Sequence, residues 1–161
     1  MSSPAKISLT ENFTLAELVR SDIATRKGIP NIPSDVAVAN LKLLAEKVLQ
    51  PIRDHYNKVI RINSGYRSIN LNIAVGGSRS SDHCNGYAAD IEIPGVSNVD
   101  LAEHIKTSLK FTQLILEFYT LGDPSSGWVH VSYNPKELKC QVLTATKQNG
   151  KSVYLNGLVK G

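Results

Sequence analysis

The apolar residues change their period once along the chain, and that change limits the fold more than any other feature. Up to Ile52 they recur at helical spacing. Leu15, Leu18, Val19 and Ile23 form one stripe, and Val38, Leu41, Leu44, Ala45, Val48 and Ile52 form a second. Thr14-Leu15-Ala16-Glu17 reads as a capping box, in which a hydroxyl and a carboxylate each satisfy an orphan N–H, so a first helix starts there and runs to a stop at Gly28. Ser34 caps the second helix, and Pro51 is expected to kink or interrupt its last turns. Beyond it the pattern is that of strands, over 59–63, 87–93, 112–118 and 128–133, with one capped helix over 98–109 between them. The tail reads as a hairpin, 141–146 and 152–155, turning at Asn149-Gly150. Helices first and strands afterwards predict an α+β fold, with N-terminal helices packed on a small, largely antiparallel sheet.

The 161 residues contain no repeat, low-complexity tract or linker, and 42% hydrophobic with 20% charged residues suits one folded unit. A single domain over 1–161 is expected, with its core over about 13–133 and a C-terminal hairpin extension over 134–161. No apolar run approaches the ~20 residues that span a bilayer, so no stable membrane insertion is expected. The start, MSSPAKISLTENF, lacks a basic segment followed by an apolar core, which predicts cytoplasmic synthesis without a secretory leader. A net charge of +4 favours anionic partners. The basic residues are scattered and aromatics make up only 6%, which argues against a nucleic-acid platform. A monomer is expected.

The stretch 64–86 reads as long and irregular, with Gly65, Gly76, Gly77 and Gly86, and such stretches inside a compact domain are often functional. It contains His83. Asp90 follows in the next strand and His130 in a later one, and all three carry donors that suit zinc. Alternation puts Asp90 opposite Ala89 and Ile91, and groups His130 with Trp128 and Ser132 away from Val129 and Val131. Two imidazoles and a carboxylate leave a fourth position open, as in hydrolytic rather than structural zinc sites. On spacing alone, ordinary hydrogen-bonding roles for these side chains stay open. His55 and His104 fall in helical segments and read as structural, and no pairing of Cys84 with Cys140 is expected.

The phrase Ser81-Asp82-His83-Cys84-Asn85-Gly86-Tyr87-Ala88-Ala89-Asp90 resembles the Ser-x-His-x-x-Gly-x-Ala-x-Asp signature of the zinc D-Ala-D-Ala peptidases, a family that includes phage L-alanyl-D-glutamate endolysins. Ser64-Gly65-Tyr66-Arg67-Ser68 looks like that family's Ser-Gly-Tyr-Arg element, and Trp128-Val129-His130-Val131-Ser132 resembles its second-histidine strand. The likeness runs from about Phe13 to Tyr133 and is nearest a carboxypeptidase-like branch common in phage genomes.

The resemblance implies a hedgehog-type zinc peptidase fold, a single Zn2+ held by His83, Asp90 and His130, and hydrolysis of D-amino-acid-containing bonds in peptidoglycan stem peptides. Many members place the catalytic glutamate three residues before the second histidine, where this chain has Gly127. Others place it before the intervening loop, and Glu117 corresponds to that arrangement. Glu117 is therefore the expected general base, with Asp123 as the fallback. Arg67 is the expected electrophilic partner, binding a substrate carboxylate or a developing oxyanion, and Ser81 and Trp128 are expected to contact substrate. The biological setting implied is a compact phage endolysin that acts on the host wall after release by a partner holin. The alternative is a non-catalytic zinc-containing module, wall-binding or virion-associated, on the same scaffold.

Overall fold

A computed structural model describes residues 7–78 and 80–159. Residues 1–6, on which part of the leader argument rests, lie outside them. The capping box is formed: Thr14 Oγ1 accepts the Glu17 N–H at 3.4 Å, and the Glu17 carboxylate accepts the Thr14 N–H at 2.9 Å. The helix it opens is shorter than the sequence reading. Helix α1 (Leu15–Val19) stops at Arg20, whose backbone is extended, and Ser21 caps a separate α2 (Asp22–Lys27). Two bonds, one local and one long-range, account for this correction. Ser21 Oγ takes the Ala24 N–H at 3.1 Å, and the Leu18 carbonyl is occupied by the Tyr66 N–H at 2.7 Å.

The second stripe forms one continuous helical rod: α3 (Asp35–Leu44), a π turn (Ala45–Leu49) and α4 (Gln50–Tyr56). Pro51 does not interrupt it, contrary to expectation. The widened turn falls where the proline ring would otherwise meet the carbonyl four residues back, and Gln50 donates to the Ala45 carbonyl across it.

The six-stranded sheet comprises β1 (Arg61–Ser64), β2 (Ala88–Glu92), β3 (Gln113–Glu117), β4 (Trp128–Ser132), β5 (Gln141–Gln148) and β6 (Lys151–Asn156), in the order β1-β2-β4-β3-β5-β6. Every neighbouring pair is antiparallel except β3 with β5. Helix α5 (Ile69–Ala74), capped by Ser68, interrupts the stretch that reads as irregular. Ile69 and Ile73 are exposed and Leu71 is buried, so the segment shows no apolar stripe to betray it. Helix α6 (Asn98–Ser108) is capped by Ser97.

One face of the sheet carries Ala89, Ile91, Leu114, Leu116, Val129 and Val131, fully buried in one cluster with Leu41, Leu44, Val48 and Ile52 of the helical rod. Removing such side chains from water stabilises by ~1.5–3 kcal/mol each and fixes which face of every strand looks inward. The residues between them, Asp90, Ile115, Glu117, Trp128 and His130, are thereby turned to the opposite face. The tail hairpin is part of this sheet, since β5 pairs with β3 along the whole of Gln113–Glu117.

Candidate metal centre and groove

His83 sits on a short 3-10 turn (Asp82–Asn85) between Ser81, whose Oγ accepts the His83 N–H at 3.2 Å, and Gly86. Gly86 has φ +78°, and a Cβ there would stand 2.5 Å from the Ala37 carbonyl oxygen, so only glycine closes this turn against the helical rod. The buried ring is oriented by its other nitrogen: Nδ1 lies 2.8 Å from the Gly65 carbonyl oxygen. A carbonyl only accepts, so Nδ1 carries the proton and Nε2 presents a lone pair. That lone pair faces Asp90 Oδ1 at 3.4 Å.

Asp90 and His130 are register partners on β2 and β4, and His130 Nδ1 lies 3.0 Å from the same Oδ1. The donor atoms of His83, Asp90 and His130 all fall within 4.8 Å of one another. Two lone-pair donors, His83 Nε2 and Asp90 Oδ1, face each other here, and a cation between them relieves their repulsion. Two nitrogens and one carboxylate oxygen, one imidazole locked by a carbonyl behind it, fit a zinc-type ion in composition and orientation. Burial alone would push the Asp90 carboxyl up, but the His83 and His130 imidazoles hold it well below the usual carboxylate range. Burial pulls His130 down, but the hydrogen bond to Asp90 together with the charges of Asp90, Glu117 and Asp82 outweighs it, leaving the imidazole above its ordinary value.

Glu117 ends β3 directly opposite Trp128 on β4, two pairs along from Ile115 and His130 and so the next pair on the same face. The Trp128 indole N–H donates to Glu117 Oε2 at 2.6 Å. Burial first, and the Asp90 charge second, raise the Glu117 carboxyl above its ordinary value, in the direction a proton acceptor at near-neutral pH requires. Arg67 follows β1. Its N–H donates to the His83 carbonyl at 3.1 Å, and its buried Nε has no hydrogen-bond partner among the described residues. Asn31 braces this loop, donating to the Val19 and Tyr66 carbonyls at 2.7 and 3.0 Å and accepting the Ser68 N–H at 2.7 Å.

Arg67, Ser81, His83, Asp90, Glu117, Trp128 and His130 all line one open groove of about 580 Å³. Asp123 does not line it; it is exposed in the β3–β4 loop, where it accepts from Ser125. Cys84 is half-buried and Cys140 exposed, both as free thiols. His55 and His104 stack on each other at 3.8 Å between α4 and α6. The sequence reading missed Phe118, Lys147, Ser152 and Tyr154, which also line the groove. No motif marks them, and the pairing of β5 with β3 that brings three of them there is not a local property of the sequence.

A family model described as Peptidase M15 matches residues 11–132. Over 81 residues, 50% of this chain, the sequence is 38% identical to a zinc D-Ala-D-Ala carboxypeptidase of Streptomyces albus G. The matched segment is 31% of that relative, so the chain corresponds to about a third of its length.

Proposed function

The chain belongs to the Peptidase M15 family, and from that premise we propose that it is a zinc-dependent peptidase that hydrolyses D-amino-acid-containing bonds in the stem peptides of bacterial peptidoglycan. The observation that carries the reading is the meeting of His83 Nε2, Asp90 Oδ1 and His130 Nδ1 in one groove with the carboxylate of Glu117. The name of the Streptomyces relative supports both the metal and the class of substrate.

A zinc ion held by these three residues supplies Lewis-acid chemistry at the scissile carbonyl. The protein's own groups do the rest. Glu117, raised by burial and held by the Trp128 indole, accepts the proton of the attacking water and returns it to the leaving amine. Arg67, which lines the groove and whose buried Nε has no hydrogen-bond partner among the described residues, binds a substrate carboxylate or the developing oxyanion. Ser81 and Trp128 line the peptide's path, and the Gly65 carbonyl keeps the His83 ring from turning. The same reading extends to a phage lysis enzyme working as a monomer on the host wall, to whose anionic surface a net charge of +4 is suited.

Mass spectrometry of muropeptides after digestion tests the proposal. The zinc-loaded chain is expected to shorten or split stem peptides, a chelator to stop it, and added zinc to restore it. Unchanged muropeptides with the loaded chain would overturn the enzymatic reading in favour of a non-catalytic wall-binding module.

A further inference from the structure

We propose that the C-terminal hairpin forms one end of the substrate groove and that Lys147 is its anion-binding group, selecting peptides that carry a carboxylate about five residues from the bond cleaved. This rests on the peptidase reading above and adds a subsite to it. The hairpin lies beyond residues 11–132, so the segment that identifies the family does not contain it.

The parallel pairing of β5 with β3 sets Ala145 beside Glu117, and Lys147 is the next residue on the same face. Its Nζ lies 3.2 Å from Ser152 Oγ and 5.3 Å from the centroid of the Phe118 ring. Both partners are neutral, and among the described residues no carboxylate stands within ion-pair distance of Lys147. An ammonium held over an aromatic face and by a hydroxyl is positioned while its charge stays unanswered.

Phe118 adds a second observation. It holds φ +57°, a conformation in which aromatic residues are uncommon, and its ring packs edge-on at 5.5 Å from Trp128. Strained residues of this kind cluster at ligand sites. Trp128, Phe118 and Lys147 thus form a continuous wall leading away from the metal donors, and Tyr154, opposite Ala145 on β6, extends it with an exposed ring.

The sheet order gives the scale. The metal donors stand on β2 and β4 or beside them, and β5 is two strands beyond β4. At ~4.8 Å between strands that is roughly 10 Å across the sheet. Lys147 stands four residues, ~13 Å, further along β5 than Leu143, which is in line with Ile115 and His130. The span is therefore roughly 16 Å, which an extended peptide covers in about five residues. Arg67 lies at the β1 end, so the groove carries one cation at each end with the metal donors between them.

The probe is a fluorophore-labelled stem peptide with its side-group carboxylates free, compared with the same peptide amidated. Lys147 is exposed, so Lys147→Met is expected to fold, which thermal unfolding checks. The zinc-loaded protein is expected to cleave the free acid with a KM about tenfold lower than for the amide. Lys147→Met should equalise the two by raising KM with kcat kept, and Lys147→Arg should retain the preference. Equal KM values in the unaltered protein, or a preference that survives in Lys147→Met, would overturn the subsite. If neither peptide is cleaved, the peptidase reading fails separately. Fluorescence anisotropy with the zinc-loaded Glu117→Gln chain then decides the subsite: a preference abolished by adding Lys147→Met supports it, and equal binding overturns it.

Discussion

Asp90 and His130 face each other across two central antiparallel strands, with Oδ1 3.0 Å from Nδ1 and His83 Nε2 reaching the same oxygen at 3.4 Å. The carboxylate is therefore the hub of the donor set. Asp90→Asn is close in volume but removes the charge that faces both imidazoles. It is expected to lower zinc affinity at least about 100-fold, beyond what loss of an outer-shell partner costs. Competition with a chelating dye measures this, and circular dichroism checks that the fold is kept. Unaltered affinity would remove Asp90 from the ligand set.

Glu117 stands on a different strand from that hub, and the proposed mechanism gives it a different task. Glu117→Gln keeps an oxygen to accept the Trp128 indole N–H but cannot take up a proton. Turnover is expected to fall by at least ~10²-fold, the lower range for losing a general base, while zinc content stays at one ion per chain. Metal analysis alongside the rate separates this from loss of the site.

In the proposed mechanism Trp128 bears on the same proton from the other side. Its N–H stabilises the charged form of Glu117, opposing burial and the Asp90 charge, which together keep the carboxyl raised. Trp128→Phe removes the donor and keeps a ring against Phe118. The Glu117 pKa should rise further, so the acid limb of kcat/KM against pH moves to higher pH. A limb that stays put would show that another group sets it.

The alternation of β2 and β4 made the directions of Asp90 and His130 legible from the sequence, because Ala89, Ile91, Val129 and Val131 all had to face the helices. The capping residues Thr14 and Ser34 were legible too, since each cap is a local bond. What escaped was non-local or lacked a stripe. Helix α5 buries too little to show a period, the break at Arg20 depends on Tyr66 far along the chain, and the insertion of β3 between β4 and β5 has no local signature. Lys147 and Tyr154 escaped with it, since only that insertion carries the hairpin to the groove.

Gly127 stands three residues before His130, where many relatives of the resembling family carry their glutamate, and the backbone explains why this chain does not. Its φ is +68°, and a Cβ would lie 1.9 Å from the Glu117 carbonyl oxygen. The close approach that admits Glu117 at the end of β3 thus forbids a side chain at 127. Gly127→Ala combines left-handed strain with overpacking and is expected to cost about 2–5 kcal/mol, read as a lower urea midpoint. Gly127→Glu placed in Glu117→Gln should not restore turnover. Restoration would mean that the two positions are interchangeable and that the backbone yields.

His55 and His104 stack at 3.8 Å with Tyr56 edge-on to His104, and Ser108 Oγ lies 3.4 Å from His104 Nδ1. Burial first, and the neighbouring His55 second, lower the His104 pKa below 6.5. A base whose folded pKa lies below its unfolded value binds its proton more readily when unfolded. The fold is therefore not penalised above about pH 6.5 and loses stability as pH falls from there through the folded pKa. His104→Gln removes that proton uptake and should flatten the stability-against-pH curve between about pH 7 and 5 relative to the unaltered chain. Acid effects at the zinc donors are common to both proteins and cancel in the difference. Urea midpoints at each pH measure it, and parallel curves would assign the acid sensitivity to other groups.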